Sequence, residues 1–265
     1  MDEGAEINIG LETGEKETHV MKVKDERGQV ADEIQARAFE ERIQNNVEKK
    51  LLQFEALMGE YAKQKVSEGL TVYLTDGAVG NGEVVDGKLS VNLPNGNEIR
   101  TVRDNELAKP YIAILDGAGI TYEEYAMAAA ESTALHESVH MIIDSRPGSK
   151  LEKDFKDATD IENDEGGYTL SLLDEGITYA FQLEVDSESE VMKKLEKEKP
   201  QTKDNFIVET RKILGEKLRE KVRTYVGNGW AINGAFLEDA GKMMKEIDMK
   251  RYIAESRLEK VSHSR

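Results

Sequence analysis

The chain has 265 residues, of which 38% are hydrophobic and 34% charged, and it carries a formal net charge of −17 at pH 7. That length and apolar fraction suffice for one large domain or two small lobes around a real core, and the negative charge argues against nucleic acid, whose phosphates demand a basic surface. The absence of cysteine excludes disulfides and thiolate metal ligands, and no run approaches the roughly 18 apolar residues of a membrane span.

Met1-Asp2-Glu3-Gly4 lacks the basic and apolar segments of a secretory signal. A cytoplasmic location is therefore expected of the sequence as it stands, and a secreted one if a signal peptide has been trimmed away. Residues 1–27 are polar and acidic with little periodic apolar content, which predicts a flexible arm. In the next segment, 28–66, the residues Ile34, Phe39, Ile43, Val47, Leu51, Phe54, Met58 and Tyr61 recur at three- to five-residue intervals, and this predicts one long amphipathic helix over about 30–61.

The texture changes at Leu70, where a core over 67–186 is expected to begin. Leu70-Thr71-Val72-Tyr73-Leu74-Thr75 alternates and is rich in β-branched residues, while Glu83-Val84-Val85 and Lys88-Leu89-Ser90-Val91 flank Asp86-Gly87, a hairpin signal. Ile99-Arg100-Thr101-Val102 after Asn95-Gly96, and Tyr111-Ile112-Ala113-Ile114-Leu115, read as further strands, giving a small sheet of four or five. Thr121 with Glu124 forms a capping box, and the alanine-rich run after it carries a helix to about Ile143, ended by Pro147-Gly148.

That helix contains the sequence His136-Glu137-Ser138-Val139-His140, and only His19 and His263 share the imidazole elsewhere. Positions i and i+4 lie on one helix face, so both rings can reach a single ion, while Glu137, turned about 100° around the axis, can take a proton from a water polarised by that ion. Leu135, Val139 and Ile142 form an apolar stripe beside the one that carries Ser132, His136, His140 and Asp144, as suits a helix at the floor of a cleft. Asp144 offers a carboxylate to an imidazole N–H.

A stretch rich in acids follows, with Lys153 and Lys156 its only cations between 151 and 190. Over 151–165 it reads as an acidic loop that solvates the surface or offers Asp157, Asp160, Glu162 and Asp164 to calcium. Ser171 with Asp174 is a second capping signature, predicting a helix over about 172–185 with Tyr168 still in the loop. A catalytic zinc keeps three protein ligands and one open position. Glu175, in the first turn of that helix and beside Gly176, is the best third ligand, with Asp174 and Glu184 as alternatives. The remainder, 187–265, reads as a helical lobe: a polar segment to Lys199, a helix over 204–226, a glycine-rich loop at 227–229, and a last helix over 236–257. Trp230 either lines a subsite or packs between helices.

His136-Glu137-x-x-His140 followed by Asp174-Glu175-Gly176-Ile177-Thr178-Tyr179 resembles the gluzincin zinc metallopeptidases, whose third ligand is a glutamate on a later helix. Tyr168, seven positions before Glu175, with Ala180-Phe181 after it, is similar to the anthrax lethal factor and Pro-Pro endopeptidase group, and that likeness implies a tyrosine aimed at the scissile carbonyl. Tyr179 and Tyr225 are alternatives for the role. The sequence departs from thermolysin-type enzymes in its spacing from His140 to Glu175 and in placing Tyr179 where they carry aspartate four residues after the ligand.

These readings combine into an α+β, zincin-like fold: a small mixed β-sheet over a metal-binding helix, then a helical C-terminal lobe. Zn²⁺ is expected on His136, His140 and Glu175, with Glu137 as general base and Tyr168 as oxyanion donor in a zinc-dependent peptidase acting on a peptide or protein substrate. The substrate is expected to align by strand addition along 88–91 or 99–102. The alternative is a catalytically inactive scaffold whose helices over 30–61 and 204–226 dock a partner.

Overall fold

A computed structural model of the protein describes residues 21–26, 33–59, 61, 68–76, 81–85, 88–93, 102, 105, 108–164, 167–186, 189–198, 205–226 and 232–263. In chain order the elements are β1 (Met21–Asp25), α1 (Glu33–Met58), β2 (Leu70–Thr75), β3 (Gly82–Val85), β4 (Lys88–Asn92), α2 (Lys109–Gly117), α3 (Tyr122–Ile143), α4 (Lys150–Thr159), α5 (Tyr168–Asp186), α6 (Glu190–Glu198), α7 (Phe206–Val226), α8 (Gly234–Met244) and α9 (Met249–His263). The chain is a mixed α+β protein, mostly helical, with one small sheet. No helix among the described residues is long and apolar enough to cross a membrane.

The sheet runs β1-β2-β4-β3. β1 and β4 both lie parallel to β2, whereas β3 and β4 form the antiparallel hairpin expected around Asp86-Gly87. Alternation does the sorting. Val72, Leu74, Leu89 and Val91 are fully buried, while Tyr73, Lys88 and Ser90 take the other face, where the Lys88 ammonium sits 4.2 Å from the centre of the Tyr73 ring.

α3 is the central element. Its start is the capping box read from sequence: the Glu124 N–H donates to Thr121 Oγ1 at 3.1 Å, and the Thr121 N–H returns a bond to Glu124 Oε2 at 2.8 Å, together worth about 1 kcal/mol. Most of its 22 residues are buried, because α1, the β3–β4 hairpin and α5 all pack on it. Alanines over 126–130 let these neighbours approach closely.

Several expectations are corrected. The segment Met21–Asp25, expected within a flexible arm, is β1, and its five-residue register with β2 explains the order; apart from Glu26, the rest of the arm lies outside the described residues. Tyr111–Leu115, expected as a strand, belongs to helix α2, with Pro110 in its first turn, where a missing N–H costs nothing. The acidic 151–165 stretch is not a loop throughout, since Lys150–Thr159 forms α4, capped by Ser149 and burying Leu151 and Phe155. The expected last helix is two, α8 and α9, which break around Lys245. Of the expected strand over 99–102 only Val102 is among the described residues, and it is helical; Trp230 lies outside them, as does the side chain of Tyr225.

α5 and α7 make the closest helix pair, and two glycines permit it. A Cβ on Gly176 would come within 2.6 Å of the Leu214 side chain, and one on Gly215 within 2.5 Å of Tyr179 Cβ and 3.3 Å of the Ala180 backbone nitrogen. Tyr179 Cβ is tied to its backbone and cannot yield, whereas the Leu214 methyls can shift. Gly215→Ala is therefore expected to lose about 1–3 kcal/mol of stability, more than Gly176→Ala. Urea unfolding of the two variants checks the order, and wild-type stability in Gly215→Ala would rule out the tight contact.

Candidate metal centre

α3 presents His136 and His140 one turn apart, and α5 runs across them to deliver Glu175. One donor atom from each of the three lies within 4.8 Å of the others. The two Nε2 atoms are 3.1 Å apart, and His136 Nε2 is 3.8 Å from Glu175 Oε2. Tetrahedral ligands at about 2.0–2.1 Å from a zinc ion would stand about 3.3–3.4 Å from each other, so this donor set fits such an ion. Its nitrogen and oxygen chemistry is also the only kind open to a chain without cysteine.

Each of the three donors is itself held in place by a partner, the arrangement that orients metal ligands. His136 Nδ1 lies 3.2 Å from Gln182 Oε1, and Gln182 Nε2 donates onward to Ser132 Oγ at 3.1 Å. Since the amide oxygen can only accept, the Nδ1 carries the hydrogen and Nε2 is left as the donor toward the centre. His140 Nδ1 is 2.9 Å from Asp174 Oδ1 and 3.3 Å from Thr178 Oγ1. Ser145 Oγ donates to the other Asp174 oxygen at 2.6 Å. Asp174 Oδ1 is buried and makes no well-formed hydrogen bond, so its close approach to His140 is chiefly electrostatic. Arg211 on α7 reaches Glu175, with Nη1 3.4 Å from Oε1.

The electrostatics follow from this packing. Burial, and then the neighbouring His140, depress the pKa of His136. Burial acts the same way on His140 but is outweighed by Asp174, with help from Glu175 and Glu137, and its pKa is raised. Without an ion the pair thus holds a proton on His140, and a metal would have to displace it. Burial also lifts Glu137 to about 7, with Glu175, Asp174 and Glu83 adding to the rise and His140 opposing it. A carboxyl poised near neutrality suits a group that must both accept and release a proton.

β3 comes up beside this carboxyl. A Cβ on Gly82 would stand 2.7 Å from Glu137 Cγ and 2.6 Å from Thr133 Cγ2, so glycine is what allows the strand to lie against Glu137. β3 ends the sheet order, whereas β4, over the 88–91 stretch expected to receive a peptide, is an interior strand. The edge nearest the centre is therefore Gly82–Val85.

Of the residues singled out in the sequence, His136, Glu137, His140 and Glu175 come together. Asp174 does not act as the third donor but stands behind His140. Glu184 pairs with Arg219 at 2.7 Å, and Asp144 with Arg146 at 2.8 and 2.7 Å, so neither serves the centre. Tyr168 is not in a loop. It opens α5, with its N–H donating to Asp164 Oδ1 at 2.7 Å, and it is buried, its ring centre 5.8 Å from the Arg257 guanidinium carbon. Seven residues of continuous helix put it about 10.5 Å along the axis from Glu175. The ring of Tyr179 lies 5.2 Å from that of His136. Asn163 and Asp164 cap α5 through the N–H groups of Leu170, Tyr168 and Thr169, and Glu162 pairs with Lys156 at 2.9 Å. Among the described residues the only group of acids and histidines gathered closely enough to hold a metal is the one at His136, and Asp157, Asp160, Glu162 and Asp164 are not gathered in that way.

Gln182 and Arg211 were not anticipated. The signal for Gln182 was a polar stripe, Glu175, Thr178, Tyr179 and Gln182, on an otherwise apolar helix; for Arg211 it was a cation four residues before a buried glycine. Replacing Gln182 by Leu, or Asp174 by Asn, is expected to weaken zinc binding about 10–100-fold, as read by competition with a chromogenic chelator; unchanged affinity in both would detach these residues from the centre. No family model, no curated protein and no solved structure matches this chain.

Proposed function

We propose that this protein is a zinc-dependent peptidase of the gluzincin type, most simply an endopeptidase. The observation that carries the reading is the convergence of His136, His140 and Glu175, each with its own orienting partner, next to a half-buried carboxyl at Glu137. His136, His140 and Glu175 would hold the ion, which when bound supplies a Lewis acid and a polarised water. Glu137 would accept a proton from the attacking water and deliver it to the leaving amine. The Gly82–Val85 edge, lying against Glu137, is placed to take an extended peptide by strand addition, so that the scissile bond falls near the base.

Stabilisation of the oxyanion falls to a phenol on α5. The resemblance assigns it to Tyr168, two turns before Glu175, but the ring of Tyr179 packs on His136, which favours Tyr179. Tyr179→Phe is expected to lower kcat about 10²–10³-fold at near-constant KM, with Tyr168→Phe close to wild type; the reverse result would return the role to Tyr168.

The central test is Glu137→Gln, assayed on a peptide library with and without chelator. Zinc should remain stoichiometric while hydrolysis falls by about 10²–10⁴-fold or more. Full activity in that variant removes Glu137 from the mechanism, and a wild-type protein that binds zinc with all four positions filled, or binds none, would instead favour the scaffold.

A further inference from the structure

Glu175 has two oxygens, and they face different neighbours. Oε2 points toward His136 Nε2 at 3.8 Å, while Oε1 is met by Arg211 Nη1 at 3.4 Å. Arg211 is in turn anchored: its Nε donates to Tyr252 Oη at 3.1 Å, and Tyr252, on α9, is 1% exposed. The backbone that carries Arg211 is fixed by the α5–α7 contact, since Gly215 lies one turn after it and Gly176 immediately follows Glu175. Arg211 from α7 thus meets the α5 carboxylate at one oxygen and is itself held by α9.

We propose that Arg211, held by Tyr252, is a positioning residue that occupies one oxygen of Glu175 and leaves the carboxylate a single donor atom to offer a metal ion. The inference rests on the zinc-centre reading above. A carboxylate can bind a metal through one oxygen or both, and a second oxygen would fill the position that a catalytic site must keep for water. A guanidinium 3.4 Å from Oε1 opposes that second bond by its charge. Its planar fork, hydrogen-bonded at Nε to Tyr252 Oη, holds that charge in place in a way that a lysine ammonium cannot.

The test uses the full chain loaded with cobalt(II), whose visible absorption is strong in four-coordinate sites and weak in five-coordinate ones. The wild type should give the strong band. Arg211→Met should keep one cobalt per chain but lose a large share of that intensity, and kcat should fall while KM holds. Arg211→Lys, which retains the charge without the fork, should restore only part of the band. Tyr252→Phe, which keeps the ring in the core, should give an intermediate spectrum and guards against misfolding of the first variant. Folded Arg211→Met and Tyr252→Phe proteins with the wild-type spectrum would overturn the role of Arg211 and leave the zinc centre standing. A wild type that binds no cobalt would overturn both.

Discussion

Two imidazole nitrogens held 3.1 Å apart in a mostly buried setting impose the constraint around which this molecule is arranged. Each neutral ring would aim a lone pair at the other, and in a medium of low effective dielectric that opposition is costly unless a positive charge lies between them. Asp174 raises the pKa of His140 and so favours a proton there, which meets the need. The rings cannot turn away, because Gln182 and Asp174 hold their far sides and the helix beneath is packed by the β3–β4 hairpin, α1 and α5 among other elements.

The two halves of the fold contribute unlike things to this centre. The N-terminal half supplies rigidity and approach: β4 buries Leu89 and Val91 beneath α3, and the hairpin brings a glycine against Glu137. The C-terminal half supplies charge: Asp174 and Glu175 from α5, and Arg211 from α7. The −17 of the whole chain is thus no guide to the centre itself, where opposite charges are paired by helix packing and the acids of the 151–164 stretch are used in caps and surface ion pairs.

What could be read from the sequence was what depends on short spacing. The four-residue offset of the histidines, the Thr121–Glu124 box and the Asp86-Gly87 hairpin are local, and each stands as expected. Errors arose where a local pattern has two solutions. Tyr111–Leu115 is an apolar run too short for its period to decide between strand and helix, and the Pro110 before it was the better guide. Ser171 with Asp174 had the form of a cap, but Asn163 and Asp164 reach the N–H groups first and start α5 earlier, which moved Tyr168 from loop to helix. The partners Gln182 and Arg211 depend on how α5 and α7 lie against each other, which no local spacing states. β1 was hidden for the same reason, since its mate β2 lies beyond the whole of α1.

The donors of the centre come from two helices that only the folded chain brings together. An ion gripped by all three therefore binds the native state and scarcely the unfolded one, and its concentration becomes part of the folding equilibrium. At a hundredfold excess over its dissociation constant such an ion adds about 2.7 kcal/mol to the native state, a large fraction of what a domain ordinarily possesses. Metal supply would then govern how long each molecule survives in a cell, since a chain deprived of the ion opens more often and meets degradation sooner.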